Sequence, residues 1–224
     1  MSDRKKFEAE FLWSLSKLIF NMSKPNIAKI SSLKDMLVKL QRNNVIELNH
    51  SVMKLVCIKS LIQKDYAVQL EYPPNSILIY DLFDAKGHDS LIVEIETDFT
   101  PPKKTLVLMI YTYACLASKI IRYRSFAKIF AFGVFPHCIL PFSKVLAKSP
   151  CTISEAEIAK IKCLAVAYYH EPPVTINAIR NTPLYEIQLV DVDKLTVQKF
   201  DPESYLKRAI QRGVTFEHMP SKEQ

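Results

Sequence analysis

Glycine is scarce: Gly87, Gly133 and Gly213 are the only three in 224 residues. Loops that wrap a phosphate in backbone N–H groups need several glycines at fixed spacing. A P-loop, a dinucleotide fingerprint and a kinase-type phosphate loop are therefore excluded. Cysteine is also uninformative as a scaffold. Cys57, Cys115, Cys138, Cys151 and Cys163 form no CxxC pair and are odd in number. Zinc-ribbon, iron–sulfur and disulfide-framework readings fail on spacing, which leaves buried free thiols in a reducing compartment. No HExxH, Ser/His/Asp or Cys–His signature occurs. The opening MSDRKKFEAE carries charges where a secretory signal needs an apolar run. The most apolar helical stretch, residues 105–118, is 14 residues long, and a membrane span needs about 20. The expectation is an intracellular, cytoplasmic protein that is neither secreted nor membrane-bound.

What is present reads as a globular α/β chain. Apolar residues make up 49%, charged residues 24%, and the net charge is +7, composition compatible with one packed domain and a real core. Residues 1–45 read as a helical extension. Phe7, Phe11, Leu15, Leu18 and Ile19 recur at helical spacing. A break follows at Lys24-Pro25, and Ser31/Ser32 are placed as caps before Leu33, Met36, Leu37 and Leu40. This extension is either a helix-turn-helix or, preferably, an arm packed on the core or on a second subunit. A helix over 50–64 comes next, then strands over 66–72, 77–84 and 91–97. A helix over 103–124 is announced by Thr100-Pro101-Pro102, and a buried strand over 126–135 follows. The order is α-β-β-β-α-β. A helix over 154–169, a strand over 184–192 and a helix over 202–211 complete a core spanning 46–215, before a polar tail over 216–224.

The informative segment runs from Ile77 to Thr97. Gly87-His88 suits a type II′ hairpin turn, and a turn centred there makes facing residues sum to 175, so Asp81 lies opposite Glu94. Alternation puts Ile77, Ile79, Asp81 and Phe83 on one face, with Ile92, Glu94 and Glu96 on the matching face. Three carboxylates on an otherwise apolar face repel one another unless a cation neutralises them. Clustered oxygen ligands of this kind suit Mg²⁺ or Mn²⁺. A solvated hairpin face is the plainer alternative, and Asp84 and Asp89 beside the turn are assigned to it.

Asp81, thirteen residues before Glu94-Ile95-Glu96, in this order of elements, resembles the PD-(D/E)XK (restriction-endonuclease-like) nuclease superfamily. Archaeal members and those of crenarchaeal spindle-shaped viruses are the nearest in kind. The resemblance covers residues 50–136. It implies an α-β-β-β-α-β core with a mixed central sheet flanked by helices. It implies metal-dependent hydrolysis of DNA phosphodiester bonds, with Asp81 and Glu94 as ligands to Mg²⁺ or Mn²⁺, and a homodimer. If the chain is viral, its compartment is the host cytoplasm. Glu96 stands where the family usually has lysine, so its implied role is a second-metal ligand or base. Lys128 or Lys86 is then the replacement cation. Glu71, Glu47 and His50 are additional candidates near the site, each with an ordinary structural alternative.

Charge is distributed unevenly. Residues 65–98 hold eight acids and one base, whereas residues 99–154 hold eight bases and no acid. An acidic pocket for a cation beside a basic block for phosphates is what phosphodiester chemistry needs. Lys103, Lys104, Lys119, Arg122 and Arg124 are the expected DNA contacts, with Thr105, Thr112, Lys119 and Arg122 along one helix face. Tyr111, Tyr113 and Tyr123 are read as core or interface residues in preference to base-stacking ones. Two other functions remain open at this stage. One is a DNA-binding protein of the same fold that cuts weakly or not at all; the other is an interaction protein with an exposed acidic hairpin.

Overall fold

The computed structural model describes residues 3–20, 22–43, 48–73, 78–97, 106–123, 126–168, 170–171, 173–181 and 184–212. Two long helices come first, α1 (Asp3–Ile19) and α2 (Lys24–Arg42). They are followed by α3 (Leu48–Ile62), β1 (Ala67–Tyr72), β2 (Tyr80–Lys86), β3 (Asp89–Glu96), α4 (Leu106–Tyr123) and β4 (Ile129–Val134). The chain continues through α5 (Glu155–Val166), α6 (Ile176–Arg180), β5 (Glu186–Asp191), β6 (Thr196–Phe200) and α7 (Pro202–Gln211). The segment from α3 to β4 thus has the expected α-β-β-β-α-β order.

All six strands form one mixed sheet in chain order. β3, β4 and β5 are parallel, with helices bridging them, while β1–β2, β2–β3 and β5–β6 are antiparallel neighbours. Strands β3 and β4 are buried on both faces, as parallel strands between helical layers must be. On one face α3 packs Met53, Val56, Leu61 and Ile62 against Leu82, Val93 and Ile95, and α1 and α2 cover α3 from outside. On the other face α4, α5 and α7 pack Ile120, Ile161 and Tyr205 over Ile92, Phe130, Phe132 and Leu189. Among the described residues, no helix is long and apolar enough to cross a membrane.

Local chemistry fixes the element ends. Ser154 opens α5 with a full capping box to Glu157, and Asp201 caps α7 by accepting from the Ser204 N–H. In α2, Pro25 sits in the first turn, where its missing N–H costs nothing. The expected break before Pro25 is present, between Ile19 and Lys24, but Ser31 and Ser32 lie inside one continuous helix and do not cap it, which corrects their expected role. Ile30, Leu33 and Leu37 keep the buried stripe unbroken across the serines. β6 and α6 carry no clear sequence signal. β6 is a short edge strand whose residues are largely exposed, the usual way an edge is kept from pairing further. The thiols are all free, but Cys151 and Cys163 are exposed on the surface, contrary to the expectation of burial.

Candidate active site

The hairpin register is as the turn dictates. Leu82 pairs with Val93, Phe83 with Ile92 and Lys86 with Asp89, each pair summing to 175. Gly87 has φ +60° and His88 does not share the left-handed region, the pattern of a type II′ turn. The pairing ends at Leu82–Val93. Beyond it, side chains take over from the backbone. Asp81 Oδ2 accepts the Ile95 N–H at 2.8 Å, and the Asp81 N–H donates to Glu94 Oε1 at 3.0 Å. The two carboxylates thus form a reciprocal clasp where the strands part.

The clasp also changes the phase of β2. Leu78 and Tyr80 are buried in the α4-side core and Leu82 in the α3-side core, although all three share parity. Ile79 is 56% exposed. The expected face of Ile79, Asp81 and Phe83 is therefore not continuous. Asp81 diverts its own carboxylate into the ladder, and the strand rotates there. Ile77 lies outside the described residues.

Each carboxylate of the clasp has a lysine. From α3, fully buried Lys54 donates to Asp81 Oδ1 at 2.7 Å and pairs with Glu71, and His50, one helical turn earlier, lies 3.1 Å from the same Asp81 oxygen. From α4, Lys119 reaches Glu94 Oε2 at 3.1 Å and Glu96 Oε1 at 2.6 Å. Burial opposes the charge on both lysines. The acids around them outweigh it and hold both ammonium groups above their ordinary range. Burial raises Asp81 as well, yet the His50 hydrogen bond and the charges of Lys54, His50 and Lys119 prevail and keep it well below the usual carboxylate range. Glu94 goes the other way, pushed up to about 8 by burial and by the neighbouring Asp81 charge. The two acids divide their environment: Asp81 holds the charge and Glu94 resists it. Glu71 joins the site at positive φ (48°), an unusual conformation for a non-glycine strand residue.

Glycine matters once here. Gly133 pairs with Ile95 across β3–β4, and a Cβ on it would come within 2.6 Å of Ile95 Cδ1. A bare backbone at 133 leaves room for the residue whose N–H anchors Asp81.

Asp81, Glu94, Glu96, Glu71 and His50 are brought together. Lys128 is not. It pairs with Asp89 at the hairpin turn, 2.5 Å away on the surface, while Lys86 donates to the Lys64 carbonyl. Neither replaces the motif lysine. Arg122 is corrected too: it is buried, donates to Ser118 and to the Ala165 carbonyl, and so ties α4 to α5. Thr112 is also buried, so the expected outward stripe on α4 does not form. Tyr123 packs edge-on to Tyr80 and Phe130 in the core. Tyr113 is half-buried, while Tyr111 is 40% exposed and packs edge-on against Tyr168. Lys103, Lys104, Arg124, Glu47 and the Thr100-Pro101-Pro102 start lie outside the described residues. Lys54 was missed altogether. Its signal is a lysine four residues after His50, set among the apolar residues of a helix.

Asp84 is a further correction. Closeness to the turn predicts a solvated side chain, yet Asp84 is fully buried on the α3 side of the sheet and neither carboxylate oxygen has a hydrogen-bond partner. Burial pushes its carboxyl well above the ordinary value, only partly opposed by Lys199.

Among the described residues, no group of three or more His, Cys, Asp or Glu side chains stands ready-made to hold a metal ion. The ammonium groups of Lys54 and Lys119 occupy the space between the carboxylates. Comparison with protein-family models, with curated proteins and with solved structures finds no match.

Proposed function

We propose that this chain is a metal-dependent nuclease of restriction-endonuclease-like architecture that hydrolyses DNA phosphodiester bonds. The observation that carries the reading is the Asp81–Glu94 clasp. Two acids from adjacent strands interlock where the ladder ends, and a lysine from α4 stands beside the second.

The donor set fits a hard divalent cation such as Mg²⁺ or Mn²⁺. Asp81, Glu94 and Glu96 offer only oxygen ligands, and an ionised carboxylate has about four acceptor positions, more than the clasp consumes. Lys119 enters from the solvent side, its side chain 31% exposed, on a flexible stem that can withdraw without moving the backbone. The chemistry such an ion supplies is a lowered pKa for a bound water and neutralisation of charge at the phosphate.

The remaining roles belong to the chain. Lys119 supplies the positive charge that Glu96 cannot, placed to face a phosphate oxygen on leaving the carboxylates. His50 and Lys54 fix the Asp81 carboxylate, and Glu71 completes the neutralisation of Lys54.

The test is nicking of plasmid and branched DNA by pure protein in Mg²⁺, Mn²⁺ or EDTA. Cutting is expected with either metal and absent in EDTA. Asp81→Ala should lower the rate by on the order of 10³-fold, equivalent to about 4 kcal/mol, with DNA binding retained. Undiminished cutting by that variant overturns the assignment.

One observation favours a second reading, a DNA-binding protein that does not cut. Both oxygens of Asp81 and both of Glu94 already have partners in the chain itself. Salt-dependent DNA binding with no metal-stimulated cleavage would select it.

A further inference from the structure

The α1–α2 arm carries a feature that the acid cluster does not use. A groove of about 310 Å³ runs between the two helices, with Phe11, Leu12 and Val38 as its apolar floor and Lys34, Lys39 and Arg42 at its edge; among the described residues Asp35 is the one acid lining it. Asp35 is already paired with Lys34 at 2.5 Å. Lys39 is exposed and has no acidic partner among the described residues. Over its whole length α2 carries five bases, Lys24, Lys29, Lys34, Lys39 and Arg42, against that single acid. Beside Leu12, itself 52% exposed, Trp13 stands 61% exposed with the Lys17 ammonium 3.5 Å from its ring centroid.

We infer that this groove holds a stretch of the DNA strand whose neighbouring phosphodiester reaches Asp81, with phosphates on Lys39 and Arg42 and sugar or base faces against the apolar floor. The inference rests on the reading that DNA is the substrate.

Three arguments support it. Charge complementarity selects an anion: the described residues of the groove edge are net positive, and phosphates are the ligands such an edge neutralises. A second copy of the chain fits poorly, because a two-fold interface would set Lys34, Lys39 and Arg42 against the same patch. Covalent reach then places the arm beside the site. Five residues separate Arg42 from Leu48, so the end of α2 lies within about 20 Å of the start of α3, where His50 holds Asp81. That is a few nucleotides of backbone. Exposed Trp13 is the kind of ring on which a base stacks without regard to sequence.

Trp13 is the chain's only tryptophan, so it reports on the arm directly. A labelled oligonucleotide of about 20 nucleotides, single-stranded or duplex, is titrated with wild-type protein and with the Lys39→Glu/Arg42→Glu variant in EDTA, between 50 and 200 mM salt. Both substituted side chains are exposed, and circular dichroism checks that the fold is kept. The wild type should bind with quenching of Trp13. The variant should bind about tenfold more weakly or worse, lose the quenching, and show a log K against log salt slope shallower by about two. Equal affinity and slope for the two proteins overturn the inference, as does no binding by the wild type at 50 mM salt. A Trp13 signal that follows protein concentration alone assigns the groove to a second copy and also overturns it. The nuclease reading is scored separately. Metal-dependent cutting with unchanged binding by the variant sinks only the arm, whereas arm-dependent binding without cutting sinks only the nuclease.

Discussion

Asp81 and Asp84 sit three residues apart on one strand, both inside the protein, and they are held in opposite ways. Asp81 is met by the Lys54 ammonium, the His50 ring and a backbone N–H, and its charge is favoured. Asp84, pointing into the α3-side core, meets no hydrogen-bond donor and resists ionisation. Burial is common to both and cannot explain the difference. The supply of donors does: Lys54 and His50 lie on successive turns of α3 over Asp81, while the stretch of α3 over Asp84 offers apolar side chains and the Cys57 thiol.

The comparison breaks most severely at Lys54. Lys54→Met removes the cation, itself fully buried, that the half-buried Asp81 and Glu71 share, and should cost about 3 kcal/mol of unfolding free energy. Urea denaturation at pH 7 measures it. A loss below about 1 kcal/mol would mean that the pairing contributes little.

Asp84→Asn sharpens the other half, with the opposite sign. An acid whose folded pKa is raised makes the protein less stable as pH climbs above about 4, because only the unfolded chain ionises freely. The Asn variant, which cannot ionise, should therefore be more stable than wild type at pH 8. The gap should close as pH falls towards 4. Asp81 runs the other way: its stabilisation is present above about pH 4 and is lost as pH falls through its depressed folded value. Thermal midpoints across pH 3 to 9 separate the two, and a pH-independent gap for Asp84→Asn would refute the account.

The smallest effect belongs to Asp89, which shares the hairpin but pairs with Lys128 in open solvent. Asp89→Ala should leave the unfolding midpoint unchanged within error, since exposed pairs are screened. A clear shift would mean that the turn matters more than its exposure suggests.

How far the sequence spoke can be judged residue by residue. The register of β2 against β3 was legible because a two-residue turn led by Gly87 leaves little freedom. The meeting of Asp81 with Glu94 followed from that register. The faces were not legible, because alternation assumes a continuous ladder and Asp81 interrupts it with its own carboxylate. Asp84 was misread for a related reason. Closeness to a turn suggests solvent, but α3 covers the strand almost to its end. Lys119 was seen as a phosphate contact, since a charge on a helix says nothing about which strands lie beneath it. Lys54 needed the packing of α3 on β2 before its purpose could be seen.

The clasp also has a history in time. Asp81 and Glu94 are thirteen residues apart and belong to one hairpin, so they can meet on the microsecond scale at which hairpins close. Their cations come from farther along the chain, Lys54 from 27 residues before Asp81 and Lys119 from 25 after Glu94, and contacts over longer loops form later. During folding the two acids therefore face each other uncompensated until α3 and α4 dock. A dissolved divalent cation present at that stage would relieve the repulsion, so Mg²⁺ in the refolding buffer should speed the approach to the native state.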